Sequence, residues 1–434
     1  MKKKNNKALI IILAILAAIV LGFVLLVLLI LFAYSDDDND DDNGQTEYAQ
    51  ETDYENENQV TYGPTNGKFS TWTVMLYLCG SDLESENEHA SENLIEILER
   101  ESSDKVNILV ETGGAEKWHM QELAEDDTNA VDIDPDSLGY YRMDGDVMKL
   151  EKTEPLASMG DPQTLFNFIT WAAEDYPADR YMLILWDHGG GSAKGVCYDE
   201  LFDDDCLTLP EIRKAVTGAN VPFEIVGFDA CLMATLETAE MLHGYGHYMV
   251  ASQEVIPGSG WSYTDFLSYL STDPSMDGLK LGKRIGDGYM EKCKERDSDE
   301  MATLSVTDLT RIPELSSTYK NLSGELVLCT TDTTSLRTIS QEASKTESYG
   351  GDSDSQGYSN LIDLGDLISR TDNVLNQNAE SVRKALGEAV RYEVHGNSRT
   401  GSNGLSVFYP IDASEYEIDN PDFPITFSVY NPKM

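Results

Sequence analysis

The middle of the chain contains five short runs of almost continuously apolar residues, which constrain the fold more than any other feature. They lie at 71–78, 106–110, 181–186, 223–228 and 248–251. Runs this short and this uniformly apolar are typical of strands buried on both faces of a largely parallel sheet. Helical patterns separate them, at 91–101, 162–174, 210–216 and 232–242. The alternation predicts an α/β fold with helices on both faces of the sheet.

Beyond Trp261 the chain is mostly helical in pattern. Amphipathic stretches occupy 279–294, 309–322 and 379–395, and short apolar runs lie at 302–306 and 405–409. We expect these two runs to be strands that either extend the sheet or form a small subdomain. The folded part of the chain therefore divides into a core at 67–270 and a C-terminal extension at 271–434, which suggests no separate chemistry of its own.

Residues 1–34 have the pattern of a membrane anchor. Four lysines within 1–7 precede an uncharged apolar run at 8–33. As a helix this run would extend about 39 Å at roughly 1.5 Å per residue, enough for a tilted crossing. A cleaved signal peptide is the alternative, but its apolar region has only about 7 to 15 residues. The lysines before the run and six aspartates within 36–42 after it predict a single-pass protein of the cell membrane, with a cytoplasmic N-terminus and an extracellular remainder.

Charge is spread unevenly along the chain, which carries 77 acidic and 31 basic side chains and a net charge of −46. Residues 35–66 contain 11 Asp and Glu, no Lys or Arg, and almost no apolar residues except tyrosines. Such a segment cannot bury enough surface to fold, so we predict an acidic, disordered spacer. Without it and the N-terminal lysines, 66 acidic and 27 basic side chains leave −39 on the folded part. This charge excludes general nucleic-acid binding and favours basic partners or substrates.

Two strand ends carry residues suited to chemistry, and function in parallel sheets collects beyond the carboxyl ends of the strands. The run at 181–186 leads into Asp187, His188 and three glycines. Histidine exchanges protons near neutral pH, and glycine backbone can approach a ligand closely. The run at 223–228 leads into Asp229 and Cys231, where a helix is expected to begin. A helix N-terminus favours the thiolate form of cysteine.

We interpret these residues together as a catalytic site for acyl transfer. His188 would protonate the leaving amine, the Sγ of Cys231 would attack a carbonyl carbon, and the N–H groups of Gly189 and Cys231 would stabilise the oxyanion. Each side chain alone has a structural alternative, because a single cysteine is often a small buried hydrophobe and a single histidine is often structural. Their placement at neighbouring strand ends favours catalysis.

Several separated motifs, in the right order over about 71–410, carry a family resemblance. They are Cys79-Gly80-Ser81-Asp82-Leu83-Glu84, Asp187-His188-Gly189-Gly190-Gly191, Asp229-Ala230-Cys231-Leu232-Met233, Ser252-Gln253-Glu254 with Gly260-Trp261, and Gly404-Leu405-Ser406-Val407-Phe408-Tyr409-Pro410. The chain resembles the clostripain family of cysteine peptidases, which are relatives of caspases, gingipains, legumain and separase. The resemblance implies a caspase-like three-layer α/β/α sandwich with a mostly parallel sheet. It also implies a dyad of His188 and Cys231, peptide or protein substrates, and no cofactor for the chemistry.

The resemblance also implies a substrate preference. In this family an aspartate two positions before the nucleophile lies in the pocket for the Arg or Lys that precedes the scissile bond, and Asp229 holds that position. The alternative is that Asp229 caps the helix expected after Cys231. A second acidic residue often follows the Gly260-Trp261 pair in the family, but this chain has Ser262 there, with Asp265 nearby. The preference for Arg over Lys is left open.

Members of this family often mature by cutting themselves between the His and Cys strands. The only basic residues within 192–221 are Lys194, Arg213 and Lys214. The last two fall in a predicted helix, so Lys194 is the candidate if self-cleavage occurs.

Two acidic loops have oxygen ligands suited to calcium, which the resemblance implies as a structural or activating ion. One contains Asp199, Glu200, Asp203, Asp204 and Asp205. The other, at 352–363, matches EF-hand spacing with glycine in sixth place, but Asp363 replaces the usual glutamate in twelfth place and is expected to start a helix instead. A solvated loop is the alternative in both cases.

The remaining cysteines and histidines give weaker signals. Cys197 and Cys206 flank the first acidic loop and could form a disulfide. If Cys231 is the nucleophile, an odd number of the six cysteines remains for pairing, so at least one other thiol is free or pairs between molecules. His243 and His247 have a spacing that is only weakly suggestive of zinc. No metal ligand is assigned.

The sequence thus predicts a membrane-anchored, extracellular, monomeric cysteine endopeptidase that cuts after Arg or Lys. The alternative is a noncatalytic surface binding or adhesion module with a vestigial dyad, whose acidic face binds cations or basic proteins.

Overall fold

The computed structural model describes residues 70–123, 131–329, 333–353 and 357–409. The predicted anchor at 8–33 and spacer at 35–66 lie outside these residues. Within the described ranges, no helix is both long enough and apolar enough to cross a membrane.

A nine-stranded sheet forms the centre of the fold. Numbered in chain order, its strands are β1 (Trp72–Cys79), β2 (Val106–Gly113), β3 (Ser137–Asp144), β4 (Val147–Pro155), β5 (Arg180–Trp186), β8 (Phe223–Asp229), β9 (Gly246–Ala251), β10 (Thr303–Asp308) and β15 (Val390–His395). Their order is β15-β10-β9-β8-β5-β1-β2-β3-β4. The five strands from β9 to β2 are parallel, and two antiparallel strands extend each edge. The α/β class and the mostly parallel sheet are confirmed, as are the five predicted strands.

Helices cover both faces of this sheet. They are α1 (Ser81–Ser85), α2 (His89–Leu98), α3 (Met120–Leu123), α4 (Pro162–Asp175), α5 (Gly191–Lys194), α6 (Leu209–Ala219), α7 (Leu236–Leu242), α8 (Tyr263–Thr272), α9 (Gly278–Glu295), α10 (Ile312–Cys329), α11 (Thr333–Ala343) and α12 (Leu364–Ala389). The fully buried β1 directs Met75 and Tyr77 into the core under α4, α6, α7, α10 and α12. It directs Val74 and Leu76 into a second core under α2, α8 and α9. The fold therefore has three layers with two apolar cores.

Local sequence explains where two of the predicted helices begin. Asp161 accepts a hydrogen bond from the backbone N–H of Gln163, and Pro162 occupies the first turn of α4. Thr208 and Glu211 form a capping box at the start of α6. The helices predicted at 162–174 and 210–216 are confirmed, with the second longer than expected.

Two predicted helices have wrong boundaries. The helix predicted at 232–242 begins only at Leu236, because Leu232 has a φ of +66° and the backbone N–H of Ala234 instead bonds the carbonyl of Ser252 at 2.8 Å. The helix predicted at 379–395 ends at Ala389, and the last six residues form β15, which pairs with β10. Apolar residues at helical spacing in 390–395 also suit one face of a strand, so periodicity alone did not separate the two.

Three smaller sheets accompany the large one. Strands β11 (Ser348–Tyr349), β14 (Leu361–Asp363) and β16 (Ser406–Phe408) form the first of them. The others are the pair β6 (Val196–Asp199) with β7 (Asp205–Leu207), and the pair β12 (Asp352–Ser353) with β13 (Gly357–Tyr358). In the C-terminal half, β10 therefore extends the large sheet, whereas β16 belongs to a small one.

Candidate active site

The candidate dyad lies where β5 and β8 end side by side. The two strands are parallel neighbours, and Trp186 is in register with Asp229. The residues that follow each strand therefore meet at one edge of the sheet. A Cβ on Gly189 would lie 2.1 Å from the carbonyl oxygen of Cys231, so this close approach of two backbones requires glycine. The structure thus brings Gly189 and Cys231 together, as the sequence predicted.

The thiol of Cys231 is mostly buried and receives backbone hydrogen bonds. The N–H of Ile256 donates to Sγ at 3.3 Å. Burial raises the pKa of the Cys231 thiol to about 11, although the N–H groups of Ile256 and Gly189 lower it in part. The expected stabilisation of the thiolate by a helix N-terminus is wrong, because the next helix starts five residues later, at Leu236. The thiol therefore needs a base to ionise it near neutral pH.

His188 has a partner that the sequence did not reveal. Its Nε2 lies 2.7 Å from Oδ1 of Asp82, and both side chains are about half exposed. Asp82 lies on α1, directly after β1, and β1 pairs with β5. The sequence signal for Asp82 was the motif at 79–84. This motif follows β1, and β1 is the neighbour of β5, the strand that leads into His188.

Asp187 fixes the backbone beside His188. It is 3% exposed, and its carboxylate accepts hydrogen bonds from the hydroxyl of Ser81 and the backbone N–H of Tyr198, both at 2.5 Å. Burial raises the pKa of Asp187 to about 7, against the opposing effect of these donors and of the nearby His188. The carboxylate therefore ties the end of β5 to α1 and to β6.

Asp229 is buried beside the nucleophile with one oxygen unpartnered. Its Oδ2 accepts hydrogen bonds from the N–H of Trp261 and the hydroxyl of Tyr263, both at 3.0 Å. Its Oδ1 has no hydrogen-bond partner among the described residues. Burial raises the pKa of Asp229 to about 6. The alternative that Asp229 caps the helix after Cys231 is wrong, because these bonds come from 261 and 263 and that helix begins only at Leu236.

The segment that donates to Asp229 is itself bound by Lys292, a buried side chain that pairs with the partly buried Glu96. The Nζ of Lys292 donates to the carbonyl oxygens of Ser259 at 2.6 Å and Trp261 at 2.9 Å, and lies 2.5 Å from Oε1 of Glu96. Gly260, between these two carbonyls, has a φ of +60°, and a Cβ there would lie 2.7 Å from Oδ2 of Asp229. Sequence reasoning missed this support because Lys292 lies far along the chain, on α9.

Asp265 does not serve as a second acidic residue for the pocket. Its carboxylate is paired with Arg284 of α9. The carboxylate nearer to Asp229 is Glu96, whose Oε2 accepts the N–H of Tyr263 at 3.1 Å. Since Glu96 is also bound by Lys292, its charge is already compensated.

The C-terminal half forms one wall of the site. Tyr349 and Leu361 pack with Leu232, and Cys231 lies against this small cluster. Glu254, which follows β9 and is 4% exposed, accepts the N–H of Gly350 at 3.0 Å. The sequence suggested no separate chemistry in this half and identified none of these contacts.

Lys194, the candidate for self-cleavage, is exposed at the end of α5. Its carbonyl oxygen accepts the hydroxyl of Tyr198 at 2.7 Å, and the N–H of Gly195 donates to Gly191 at 3.0 Å. The peptide bond after Lys194 is therefore held in a hydrogen-bonded turn. Self-cleavage at this residue stays a prediction.

The disulfide that Cys197 and Cys206 could form is absent, and both thiols are free. Cys197 is buried with its Sγ directed toward the carbonyl of Trp186. The Sγ of Cys206 instead lies 3.2 Å from the carbonyl oxygen of Lys194. The side chains have separate partners, although their strands are paired.

The acidic loop between these cysteines directs its carboxylates to separate protein donors. Asp199 accepts the N–H of Met159 at 2.8 Å, Glu200 accepts the N–H of Glu116 at 2.6 Å, and Asp205 accepts the hydroxyl of Ser158 at 2.6 Å. This divergence does not support the predicted calcium site.

The other predicted metal sites also lack support. Residues 354–356 of the second loop are outside the described ranges, and Asp363 caps α12 by accepting the N–H of Asp366 at 2.8 Å, as expected. His247 lies near Glu224, with 3.5 Å between Nδ1 and Oε2. Among the described residues, three metal-binding side chains gather only at Glu88, His119 and Glu122, none of which belongs to either loop or to the His243 and His247 pair.

Comparisons with known proteins point to one family. The family model described as the clostripain family matches residues 76–423. Clostripain from Hathewaya histolytica is 26% identical over an alignment of 438 residues. The alignment covers 85% of this chain and 80% of that protein.

Solved structures show the same fold. A secreted C11 cysteine protease from Bacteroides thetaiotaomicron, in complex with an irreversible peptide inhibitor, is 20% identical with a TM-score of 0.60, over 84% of this chain and 99% of that one. An inactive zymogen C11 protease from Parabacteroides distasonis has the same identity, TM-score and share of this chain, over 96% of its own. Since the family model matches most of the sequence, the chain belongs to the clostripain family and is a cysteine endopeptidase.

Proposed function

We propose that this peptidase hydrolyses peptide bonds that follow Arg or Lys, with Cys231 as nucleophile and His188 as the base. The observation that carries the proposal is the buried carboxylate of Asp229, two residues before Cys231, with Oδ1 unpartnered among the described residues. An ionised carboxylate in such a place favours a guanidinium or ammonium partner strongly. A neutral side chain in the same pocket would leave the charge desolvated and unpaired, which lowers binding.

The chemistry begins with ionisation of the thiol. With a pKa of about 11, only about one thiol in 10⁴ would be ionised at pH 7 without a base. His188 therefore takes the proton from Cys231, and Sγ attacks the carbonyl carbon of the substrate. The N–H groups of Gly189 and Cys231 stabilise the resulting oxyanion, and the proximity of these two residues supports this role.

The remaining steps return the site to its starting state. The tetrahedral intermediate collapses, the C–N bond breaks, and His188 gives its proton to the leaving amine. A thioester then joins the acyl group to Cys231. Water, deprotonated by His188, attacks this thioester, and the thiolate leaves and regains the proton.

We also propose that residues 1–34 anchor the protein in the cell membrane, with the catalytic part outside the cell. The length of the apolar run at 8–33 and the lysines before it support this orientation. Fractionation of cells that produce the full chain should find it in membranes, and protease added outside should reach it. Release of a form lacking residues 1–34 would favour a signal peptide instead.

Reporter peptides test the catalytic proposal. We expect the full chain to hydrolyse substrates with Arg or Lys before the reporter group, and substrates with Asp or Leu there at least about 100-fold more slowly. Cys231→Ala should abolish hydrolysis. Activity that persists in Cys231→Ala would contradict the mechanism, and inactivity of the intact chain, with and without calcium, would favour the noncatalytic surface module.

A further inference from the structure

The contact between Asp82 and His188 indicates which ring nitrogen of His188 is available to act as the base. Nε2 of His188 lies 2.7 Å from Oδ1 of Asp82, which is the distance of a charge-assisted hydrogen bond. An ionised carboxylate can only accept a hydrogen bond, so Nε2 must carry the proton. In the neutral ring this leaves Nδ1 unprotonated and basic.

The backbone around Asp82 is held in place on several sides. The hydroxyl of Ser81 donates to the buried Asp187, and the N–H of Ser81 donates to the carbonyl of Gly114 at 2.9 Å. The carbonyl of Asp82 accepts both the N–H of Glu86 at 3.0 Å and the side-chain amide of Asn87 at 3.1 Å. The carboxylate of Asp82 is exposed, but the element that presents it is fixed relative to the end of β5.

The same element is also anchored inside the protein. Glu84, on α1, is fully buried and accepts hydrogen bonds from the N–H groups of Ser91 at 2.8 Å and His119 at 2.7 Å. Because β1 and β5 are adjacent and parallel, this anchoring places α1 beside His188. The hydrogen bonds on both sides of Asp82 thus hold its backbone where its side chain contacts His188.

We propose that Asp82 is a positioning residue that holds His188 in the tautomer with Nε2 protonated. Nδ1 is then the nitrogen that accepts the proton of the Cys231 thiol and returns it to the leaving amine. Asp82 touches neither the substrate nor the thiol, and it acts through the orientation and tautomer of the ring. This inference rests on the proposed role of His188 as the base.

Two substitutions distinguish this role from that of an exposed ion pair. Asp82→Ala removes the partner of Nε2, whereas Asp82→Asn can present an amide N–H to Nε2 and so favour the unproductive tautomer. In the full chain, with an Arg reporter, we expect kcat to fall about 10-fold in the Ala variant and about 100-fold in the Asn variant. KM should stay within about twofold, because neither change touches the substrate.

Glu86→Gln is the matched control, because Glu86 is an exposed acidic residue at the end of the same helix. It should leave kcat unchanged. The inference is overturned if both Asp82 variants keep kcat within twofold, if the loss appears in KM alone, or if Glu86→Gln causes the same loss as Asp82→Asn.

Nitrogen-15 NMR of the histidine rings gives a measurement that does not depend on activity. We expect the His188 ring, assigned by comparison with His188→Gln, to show a proton on Nε2 at pH 8 in the full chain and on Nδ1 in Asp82→Asn. A proton on Nδ1 in the unmodified chain would overturn the inference. The expected tautomers in a chain that hydrolyses nothing would support the positioning role and contradict only the proposed function.

Discussion

Burial determines the protonation state of two side chains at the end of β8, those of Asp229 and Cys231. It raises the pKa of the Cys231 thiol to about 11 and that of the Asp229 carboxyl to about 6. The first effect makes catalysis depend on His188, and the second keeps the pocket charged only above about pH 6. The sequence revealed these three residues because each lies at the end of a buried strand or two residues beyond it. It missed Asp82, whose contact with His188 exists only through the pairing of β1 with β5.

The raised pKa of Asp229 predicts how substrate preference depends on pH. Below about pH 6 the carboxyl gains a proton and loses its charge, so the preference for Arg over a neutral residue should fall. We expect kcat/KM for an Arg reporter, divided by that for a Leu reporter, to drop about 10-fold from pH 7 to pH 5.

Asp229→Asn is the control for this pH effect, because the amide cannot ionise. Its preference should be weak and the same at both pH values. An unchanged ratio in the unmodified chain between pH 5 and pH 8 would contradict an ionised Asp229 as the basis of specificity.

The raised pKa of Asp187 predicts an effect on stability. Its folded-state pKa of about 7 lies above the unfolded value of about 3.9. The stability from the protonated form is therefore fully present below about pH 4 and is lost as pH rises through about 7. We expect the melting temperature to fall more between pH 5 and pH 8 in the unmodified chain than in Asp187→Asn. Asp203→Asn, at an exposed position, should behave like the unmodified chain, and equal slopes in all three proteins would be evidence against this role.

At the scale of elements, the site depends on close contact between segments that follow different strands. The approach of Gly189 to the carbonyl of Cys231 leaves no room for a Cβ. We expect Gly189→Ala to displace the end of β8 and to lower kcat/KM by more than about 100-fold, since small displacements of reacting groups have effects of this size. Gly387→Ala, in the interior of α12 with no atom near the added methyl, should keep full activity. An active Gly189→Ala would show that the contact is not required.

The segment after β9 joins the nucleophile to the C-terminal half. Glu254 and Arg399 are both largely buried and form an ion pair, and Arg399 also contacts Oε1 of Glu347 at 2.7 Å. Arg399→Met would leave Glu254 buried without its partner, and we expect a loss of about 3–5 kcal/mol in the free energy of unfolding, measured in urea. The double variant with Glu254→Gln should recover part of this loss. A loss below about 1 kcal/mol would contradict a structural role for the pair.

Element types were more predictable from the sequence than their ends or their partners. Buried parallel strands such as β1 and β5 stand out because both faces are apolar. The hairpin of β3 and β4 was missed, because β4 exposes charged residues along much of its length. Its signal was the two-residue turn Gly145-Asp146, with Gly145 at a φ of +65°.

At the scale of the whole molecule, the strongly acidic folded part should attract basic substrates. Raising the ionic strength from 0.01 M to 0.1 M shortens the screening length from about 30 Å to about 10 Å. We expect kcat/KM for cationic peptides to fall about 3- to 10-fold over this range, with little change for neutral ones. Asp229→Asn should keep the same relative salt dependence, because one pocket residue does not create the long-range field. Salt dependence confined to proteins with an intact Asp229 would instead assign the effect to the pocket.

The link between a buried Asp229 and cleavage by Cys231 can be tested by mapping cut sites in a mixed peptide library with mass spectrometry. The full chain should cut after Arg and Lys, Asp229→Asn should lose this preference while still cutting, and Cys231→Ala should cut nowhere. Cuts spread over all residue types in the unmodified chain, or an unaltered basic preference in Asp229→Asn, would contradict the assignment of this carboxylate to the substrate pocket.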